Sequence, residues 1–306
     1  MRILLTGANG FIGPNLANAL LANGHDLTCP LRRLPQDHLP SCAVRLVEAD
    51  LTQPVDFGQA FDIIVHCAGT APASGRPVTE MVADNLDSTR SLVEMALRRP
   101  PRLFLFFSTM SVYREVRVPV VDESTPVIMP SAYGMSKLVS EELLLAHREA
   151  FPSVALRLPA ILGPGASGHW LSMVLARARR NEPIEIFNPS AAFNNAVYLD
   201  DLVTFVCELV RQSHEGFERL TLSLANALPI ETVVRRLLRA AGSTSPVDVV
   251  HSENTSFTID ASRARQRFGF RSRSCEDAIE WYASSPARGA SGAGSIVAPA
   301  QRKADA

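Results

Sequence analysis

Lysine is almost absent from this chain of 306 residues: only Lys137 and Lys303 occur, so nearly all its positive charge is arginine. Tyrosine, with four copies, is also scarce, so a motif that joins one tyrosine to one lysine carries weight. Cysteine is thin and scattered. Cys29, Cys42, Cys67, Cys207 and Cys275 make an odd count without a C-x-x-C pair. That spacing argues against a disulfide framework or a zinc site, so no metal is expected, and it fits a reducing cytosol. No run approaches the roughly 20 apolar residues a membrane span needs. The opening MRILLTGANG is too short an apolar run for a signal peptide. A soluble, cytoplasmic protein is expected. A formal net charge of -1 gives no general attraction to nucleic acid or an acidic membrane.

With 46% hydrophobic and 20% charged residues, the chain has what a sizeable core requires. Its first half alternates short apolar runs with helix-length amphipathic stretches. Strands are expected at Ile3–Leu5, Asp26–Thr28, Val44–Glu48, Asp62–His66, Leu103–Phe107 and Val154–Leu158, with helices over Phe11–Leu21, Glu80–Leu97 and Ala132–His147. Repeated strand–helix units of this kind predict a parallel sheet covered on both faces. The expected architecture is α/β, a Rossmann-type doubly wound parallel sheet with a small C-terminal substrate-binding lobe. Residues 1–165 form the dinucleotide-binding unit, to which 195–212 return, and residues 166–194 and 213–283 form the lobe. From Ser284 onward apolar content is too low to offset ordering, and 284–306 reads as a disordered tail.

Thr6-Gly7-Ala8-Asn9-Gly10-Phe11-Ile12-Gly13 follows the first strand and opens the first helix. In that context Gly7 permits a tight turn, Gly10 lets backbone amides approach a pyrophosphate, and Gly13 lets helix and strand pack closely. The phosphates then meet the helix N-terminus, where free N–H groups favour anions. Near the end of the second strand an NAD site usually carries a carboxylate for the ribose 2′-hydroxyl. Here Arg32 and Arg33 stand instead, which favours a 2′-phosphate and hence NADP, with NAD as the alternative.

Tyr133 and Lys137 are four apart, one helical turn, on one helix face. A phenol is a poor base at its reference pKa of about 10. An ammonium about 6 Å away stabilises phenolate by roughly 3 kcal/mol at an effective dielectric of about 20. That shift brings the tyrosine toward working pH, where it acts as acid or base. Thr109 and Ser111 follow the fifth strand's carboxyl end, where open α/β sheets bind ligands, and Thr109 is placed to hydrogen-bond a substrate oxygen. His169 and Trp170 lie in the expected lobe. The indole is a candidate for stacking on a base or sugar, with helix-start packing as the plain alternative.

Taken in order, these residues resemble the extended short-chain dehydrogenase/reductase family, also called the NAD-dependent epimerase/dehydratase family. The resemblance runs from Met1 to about Val210 and more loosely to about Tyr282. It implies catalytic roles for Thr109, Tyr133 and Lys137. It adds Asp50 and Leu51 at the adenine, Ala68 within His66-Cys67-Ala68-Gly69, Asn85, and Pro159 within Arg157-Leu158-Pro159 as cofactor contacts, beside Gly7, Gly10, Phe11, Ile12, Gly13 and Arg32. The family's 4,6-dehydratases place Asp-Glu directly after the catalytic threonine. Met110-Ser111 stand here, which removes the acid and base for eliminating water. The UDP-galactose epimerase type carries an asparagine where this chain has Ala160. The resemblance makes a nucleotide sugar the leading substrate, handled by 4-reduction or epimerisation in a homodimer. A non-sugar ketone or aldehyde reductase, and a regulator that senses NAD(P) without chemistry, are the alternatives.

Overall fold

The computed structural model describes residues 1–34, 44–252 and 255–285. Cys42 and the tail beyond Ser285 lie outside the described residues. Seven strands form the central sheet: β1 (Arg2–Thr6), β2 (Asp26–Leu31), β3 (Val44–Glu48), β4 (Ile63–His66), β5 (Leu103–Thr109), β6 (Ser153–Leu158) and β7 (Phe217–Thr221). Their order is β7-β6-β5-β4-β1-β2-β3, and every neighbouring pair is parallel.

Alternation along the strands explains why helices cover both faces. Ile3 and Leu5 of β1 belong to one core with Leu16 and Leu20 of α1 (Gly13–Ala22). Leu4 belongs to the other, with Leu92 of α2 (Val78–Arg98) and Leu144 of α3 (Ala132–Ala146). In β5 all seven residues are buried, so the strand reads LFLFFST rather than an alternating pattern. The C-terminal lobe has its own core. It is built on α4 (Trp170–Ala178), α6 (Ile230–Ala240) and α8 (Cys275–Ser284). Helix α5 (Leu199–Arg211) returns to the sheet, burying Leu202, Phe205 and Val206 in the core shared with α1.

One expectation needs correcting. Residues 213–283 do not all belong to the lobe, because Phe217–Thr221 is the sheet's edge strand, paired with β6 from Phe217↔Ser153 to Thr221↔Arg157. The helix α7 (Ser262–Phe268) packs Ala264 and Phe268 on the same sheet. The sequence FERLT hides a strand because Glu218 and Arg219 look solvated. Here they are tied down: Glu218 pairs with Arg263 and Arg267, and Arg219 with Glu141 and Glu142. The lobe also begins slightly before residue 165, since Leu162 is buried in its core.

The β1–α1 junction is the tightest point of the fold. Gly7 has φ +73°, and a Cβ there would stand 2.7 Å from the Ala68 nitrogen. At Gly13 a Cβ would stand 2.1 Å from the Gly7 carbonyl oxygen. Only a missing side chain lets helix and loop meet this closely. Gly13→Ala is therefore expected to destabilise the protein by about 3 kcal/mol or more through overpacking. A urea-unfolding midpoint within error of the parent value would contradict this.

Candidate active site

Strand β1 has β2 on one side and β4 on the other, so crossovers leave it in opposite directions and a crevice opens at the strands' carboxyl ends. Thr6 Oγ1 accepts the Ala68 N–H at 3.0 Å and bonds His66 Nδ1 at 2.8 Å, holding the ends of β1 and β4 together. The crevice is a cavity of about 520 Å³. Gly7, Gly10, Phe11, Ile12, Arg32, Leu51, Ala68 and Asn85 are among its walls. Gly13 supports it from behind by contact with Gly7 and Ala8. No side chain caps the first turn of α1. Its free N–H groups thus suit a pyrophosphate, and these residues fit a dinucleotide. Asp50 is not among the wall residues. Its Oδ1 accepts from the Thr52 N–H and hydroxyl at 3.0 and 2.9 Å, which holds its carboxyl below the usual range. Arg32 is about half exposed and reaches Asp84 at 3.1 Å, a carboxylate that also takes Arg76 at 2.5 Å.

Helix α3 carries Tyr133 and Lys137. Its N-cap Ser131 accepts the Gly134 N–H at 3.0 Å. A Cβ at Gly134 would stand 2.1 Å from the Ser111 carbonyl oxygen, so this glycine presses the helix onto the segment that follows β5. The approach sets the first turn of α3 against Ser111 and Val112. Lys137 is 3% exposed, with Nζ 4.8 Å from the Phe106 ring centroid. A Cβ at Gly69 would stand 3.0 Å from Nζ, so glycine at this place leaves the ammonium room beside the crevice. Asn85 Oδ1 accepts the Thr70 N–H at 2.8 Å while its Nδ2 donates to Ser136 Oγ at 3.1 Å, joining α2, the β4 loop and α3.

Burial dominates the electrostatics here. It pushes the Tyr133 phenol up to about 12, with Cys67 adding to the effect, and pulls Lys137 down to about 8 against the pull of Cys67 and Glu141. The lowering by Lys137 that the spacing suggests is not among the effects on the phenol here: desolvation and Cys67 both raise its pKa. At neutral pH the phenol therefore carries its proton.

A second cavity, of about 540 Å³, opens beyond the end of β5. Thr109, Ser111, Ser131, Pro159 and His169 line it, together with Arg114. Pro159 therefore faces this cavity rather than the dinucleotide crevice. Thr109 Oγ1 donates to Ser111 Oγ at 3.2 Å and accepts the Ser111 N–H at 3.1 Å. Tyr133 is in neither set of walls; it is next but one in the chain to Ser131 of the second cavity, and Cys67 of the first acts on its phenol. Trp170 reaches neither set of walls: its ring meets Phe193 edge-on at 5.7 Å in the lobe. Packing is the role its surroundings describe. Among the described residues no cluster of three His, Cys, Asp or Glu has the arrangement of a metal site, and no helix is long and apolar enough to cross a membrane.

Sequence reasoning missed the residues that hold α3 in place. Glu141, fully buried one turn beyond Lys137, accepts from Arg157 Nε at 3.0 Å and Nη2 at 2.6 Å, from Arg219 Nε at 2.9 Å, and from the Ser108 hydroxyl. Arg157 also donates to the Tyr113 hydroxyl, which itself donates to the Asp122 carbonyl at 2.9 Å. Burial opposes charge on Arg157, but Glu141 outweighs it and raises its pKa. A glutamate in a mixed helical pattern gives no sign of burial. Only the tyrosine–lysine register, continued by four residues, points to it.

The pattern described as the NAD dependent epimerase/dehydratase family matches residues 3–223. An uncharacterised UDP-glucose epimerase of Bacillus subtilis is 26% identical over 292 residues, covering 87% of this chain and 91% of the relative. The UDP-2-acetamido-2,6-beta-L-arabino-hexul-4-ose reductase of Pseudomonas aeruginosa is 30% identical over 210 residues, 66% of this chain and 48% of the relative. Among solved structures, the UDP-glucuronic acid 4-epimerase of Bacillus cereus in complex with NAD superposes with TM-score 0.78 at 23% identity, covering 92% of this chain and 96% of that one. The fold is thus shared with such enzymes.

Buried Lys137 has a consequence for stability. Its folded pKa of about 8 lies below the ordinary lysine value of 10.5. The unfolded state binds the extra proton between those values, so this group's penalty is full below pH 8 and fades as pH rises toward 10.5. Lys137→Met should therefore stabilise the cofactor-free protein at pH 7 by about 2–3 kcal/mol, with the gain shrinking by pH 10. Chemical unfolding of parent and variant at both pH values checks this. A gain independent of pH would show that packing, not charge burial, is responsible.

Proposed function

The chain belongs to the NAD-dependent epimerase/dehydratase family and is an enzyme of the extended short-chain dehydrogenase/reductase type; from that premise we propose that it reduces a ketone on a sugar-derived substrate, in the first instance a 4-keto nucleotide sugar, with NADPH. The observation that carries this reading is that the helix bearing Tyr133 and Lys137 is pressed at Gly134 onto Ser111 of the cavity bearing Thr109, and sets the Lys137 ammonium beside Gly69 of the dinucleotide crevice. The bound nicotinamide supplies hydride to the carbonyl carbon. Tyr133 gives its phenolic proton to the carbonyl oxygen, and the Thr109 hydroxyl turns from Ser111 to hydrogen-bond that oxygen. Lys137 offers its ammonium to the ribose beside Gly69 and stabilises the phenolate that remains.

Arg32 supports NADP. It lines the crevice at the end of β2, where the chain offers no carboxylate for a 2′-hydroxyl. Leaving Asp84 for a 2′-phosphate does not strand that carboxylate, because Arg76 remains on it. A homodimer through α2 and α3 accords with exposed Val78, Leu97, Met135 and Val139 on those helices. The free thiols of Cys29, Cys67, Cys207 and Cys275 accord with the cytoplasm. A nucleotide-sugar epimerase is the second reading, favoured by the Bacillus subtilis relative. An epimerase oxidises and re-reduces one substrate, so it retains its dinucleotide through the cycle. Protein that stays loaded with NAD through dialysis and turns over without added cofactor is an epimerase.

Tyr133→Phe removes the transferable proton and keeps the ring, so turnover should fall at least about 100-fold with the fold intact. Near-parental turnover in that variant overturns the mechanism. NADPH should bind more tightly than NADH by about 1–2 kcal/mol if one charge-assisted contact forms, and Arg32→Ala should remove most of that gap. Fluorescence titration of both dinucleotides decides it, equal affinities in the parent protein being the adverse result.

A further inference from the structure

We propose that the substrate carries a carboxylate close to the reacting carbon, and that Arg114 binds it. This rests on reading the cavity beyond β5 as the substrate site of the hydride transfer. Arg114 is the one charged side chain among the described residues lining that cavity, which it shares with Thr109 and Ser111. His169 adds no charge, because burial lowers its pKa from 6.5 and leaves the ring neutral at pH 7.

The surroundings leave Arg114 available. The adjacent carboxylate, Glu115, is engaged by Arg117, whose Nε lies 2.7 Å from it. Asp122 is occupied by Ser124 and Thr125, and Glu123 by Thr221 and Arg263. Arg114 has no ion-pair partner among the described residues. Its neighbour Tyr113 is fixed by Arg157 and by the Asp122 carbonyl, so the guanidinium starts from a rigid base at the cavity rim. A guanidinium without a protein carboxylate, at a cavity holding the candidate proton donor's partner Thr109, presents a planar fork matched to a carboxylate.

The chemistry favours a monoanion over a phosphate. Among the described residues no second cation lines the cavity. The nearby N-terminus of α4 is closed by a capping box, in which His169 Nδ1 accepts the Ser172 N–H and Ser172 Oγ accepts the His169 N–H. One planar guanidinium, with hydroxyls from Ser111 and Ser131 beside it, suits a polyhydroxylated carboxylic acid: a uronic acid on a nucleotide or a free aldonic acid.

Matched pairs test this and separate the two sources. The NADP-loaded protein is titrated by calorimetry with UDP-glucuronate against UDP-glucose, and with D-gluconate and D-ribonate against glucitol and ribitol. At least one acid should bind 10-fold or more tightly than its neutral counterpart. Arg114→Gln should abolish that preference and leave affinity for the neutral compound unchanged, while Arg114→Lys restores part of it. Preference within the UDP pair alone marks a nucleotide-linked acid, and preference within the aldonate pairs alone marks a free one. Absence of binding by every acid, no preference for the acid, or a preference that survives Arg114→Gln overturns the proposal. If an acid binds through Arg114 but is neither oxidised or reduced, by nicotinamide absorbance with either redox form, nor converted to its epimer, the hydride-transfer reading fails while the carboxylate site stands.

Discussion

The active-site geometry depends on one buried carboxylate. Glu141 lies fully inside the protein, where an unpaired charge costs several kcal/mol. It is tolerable only because Arg157 of β6, Arg219 of β7 and Ser108 of β5 all converge on it. This obligation fixes a helix against three strands at once. The same helix carries Lys137 one turn earlier and Tyr133 two turns earlier, and Ser108 immediately precedes Thr109. The candidate catalytic side chains are thereby located by an interaction in which none of them takes part. An apolar cluster of equal volume would hold the helix as firmly, but would constrain its rotation and sliding less.

A second polar chain does for the cofactor side what Glu141 does for the substrate side. His66 bonds Thr6 through Nδ1 and Thr89 through Nε2, at 2.8 and 3.2 Å, and Ser140 donates to Thr89 at 3.2 Å. Burial holds the His66 pKa well below its ordinary value, so the ring is neutral and one nitrogen donates while the other accepts. β1, β4, α2 and α3 are joined by this one path. Asn85 adds a parallel one to Ser136. The glycine loop and the tyrosine–lysine helix come from distant parts of the sequence, and these bonds hold them in register with each other.

Much of this was legible from local pattern. Six of the seven strands were read from the sequence, most plainly the central β1, β4, β5 and β6, because a strand covered on both faces is mostly apolar, whereas the edge strand β3, VRLVE, is only partly buried. The seventh was not, since FERLT has two apolar residues and needs Arg263, Arg267 and Glu141 from elsewhere to neutralise its charges. The glycine loop and the Tyr133–Lys137 pair were legible because each is a short-range geometric demand, fixed by spacing alone. The state of that pair was not. Spacing places the lysine one turn from the phenol but says nothing of desolvation, which sets both groups' protonation. Trp170 is the converse case, a residue whose chemistry suggested stacking and whose neighbour Phe193 explains it by packing. Arg114 gave no local signal in a chain whose 30 basic residues are arginine in all but two positions.

The distribution of charge then separates structure from function. Where a charge serves the fold, it is neutralised within the protein, as Glu141 is by Arg157 or Asp201 by Arg273 at 2.7 Å. Lys137 breaks this rule from inside: it is buried to 3% exposure beside an aromatic ring, and its depressed pKa measures the cost of keeping an ammonium there. Arg114 breaks it from the rim, with a neighbouring carboxylate already taken by Arg117. In the proposed reading both would meet a bound molecule that supplies what the protein withholds, a dinucleotide ribose beside Gly69 in one case and a substrate anion in the other. A site arranged this way is less stable empty than filled, and ligand binding then contributes directly to holding the fold.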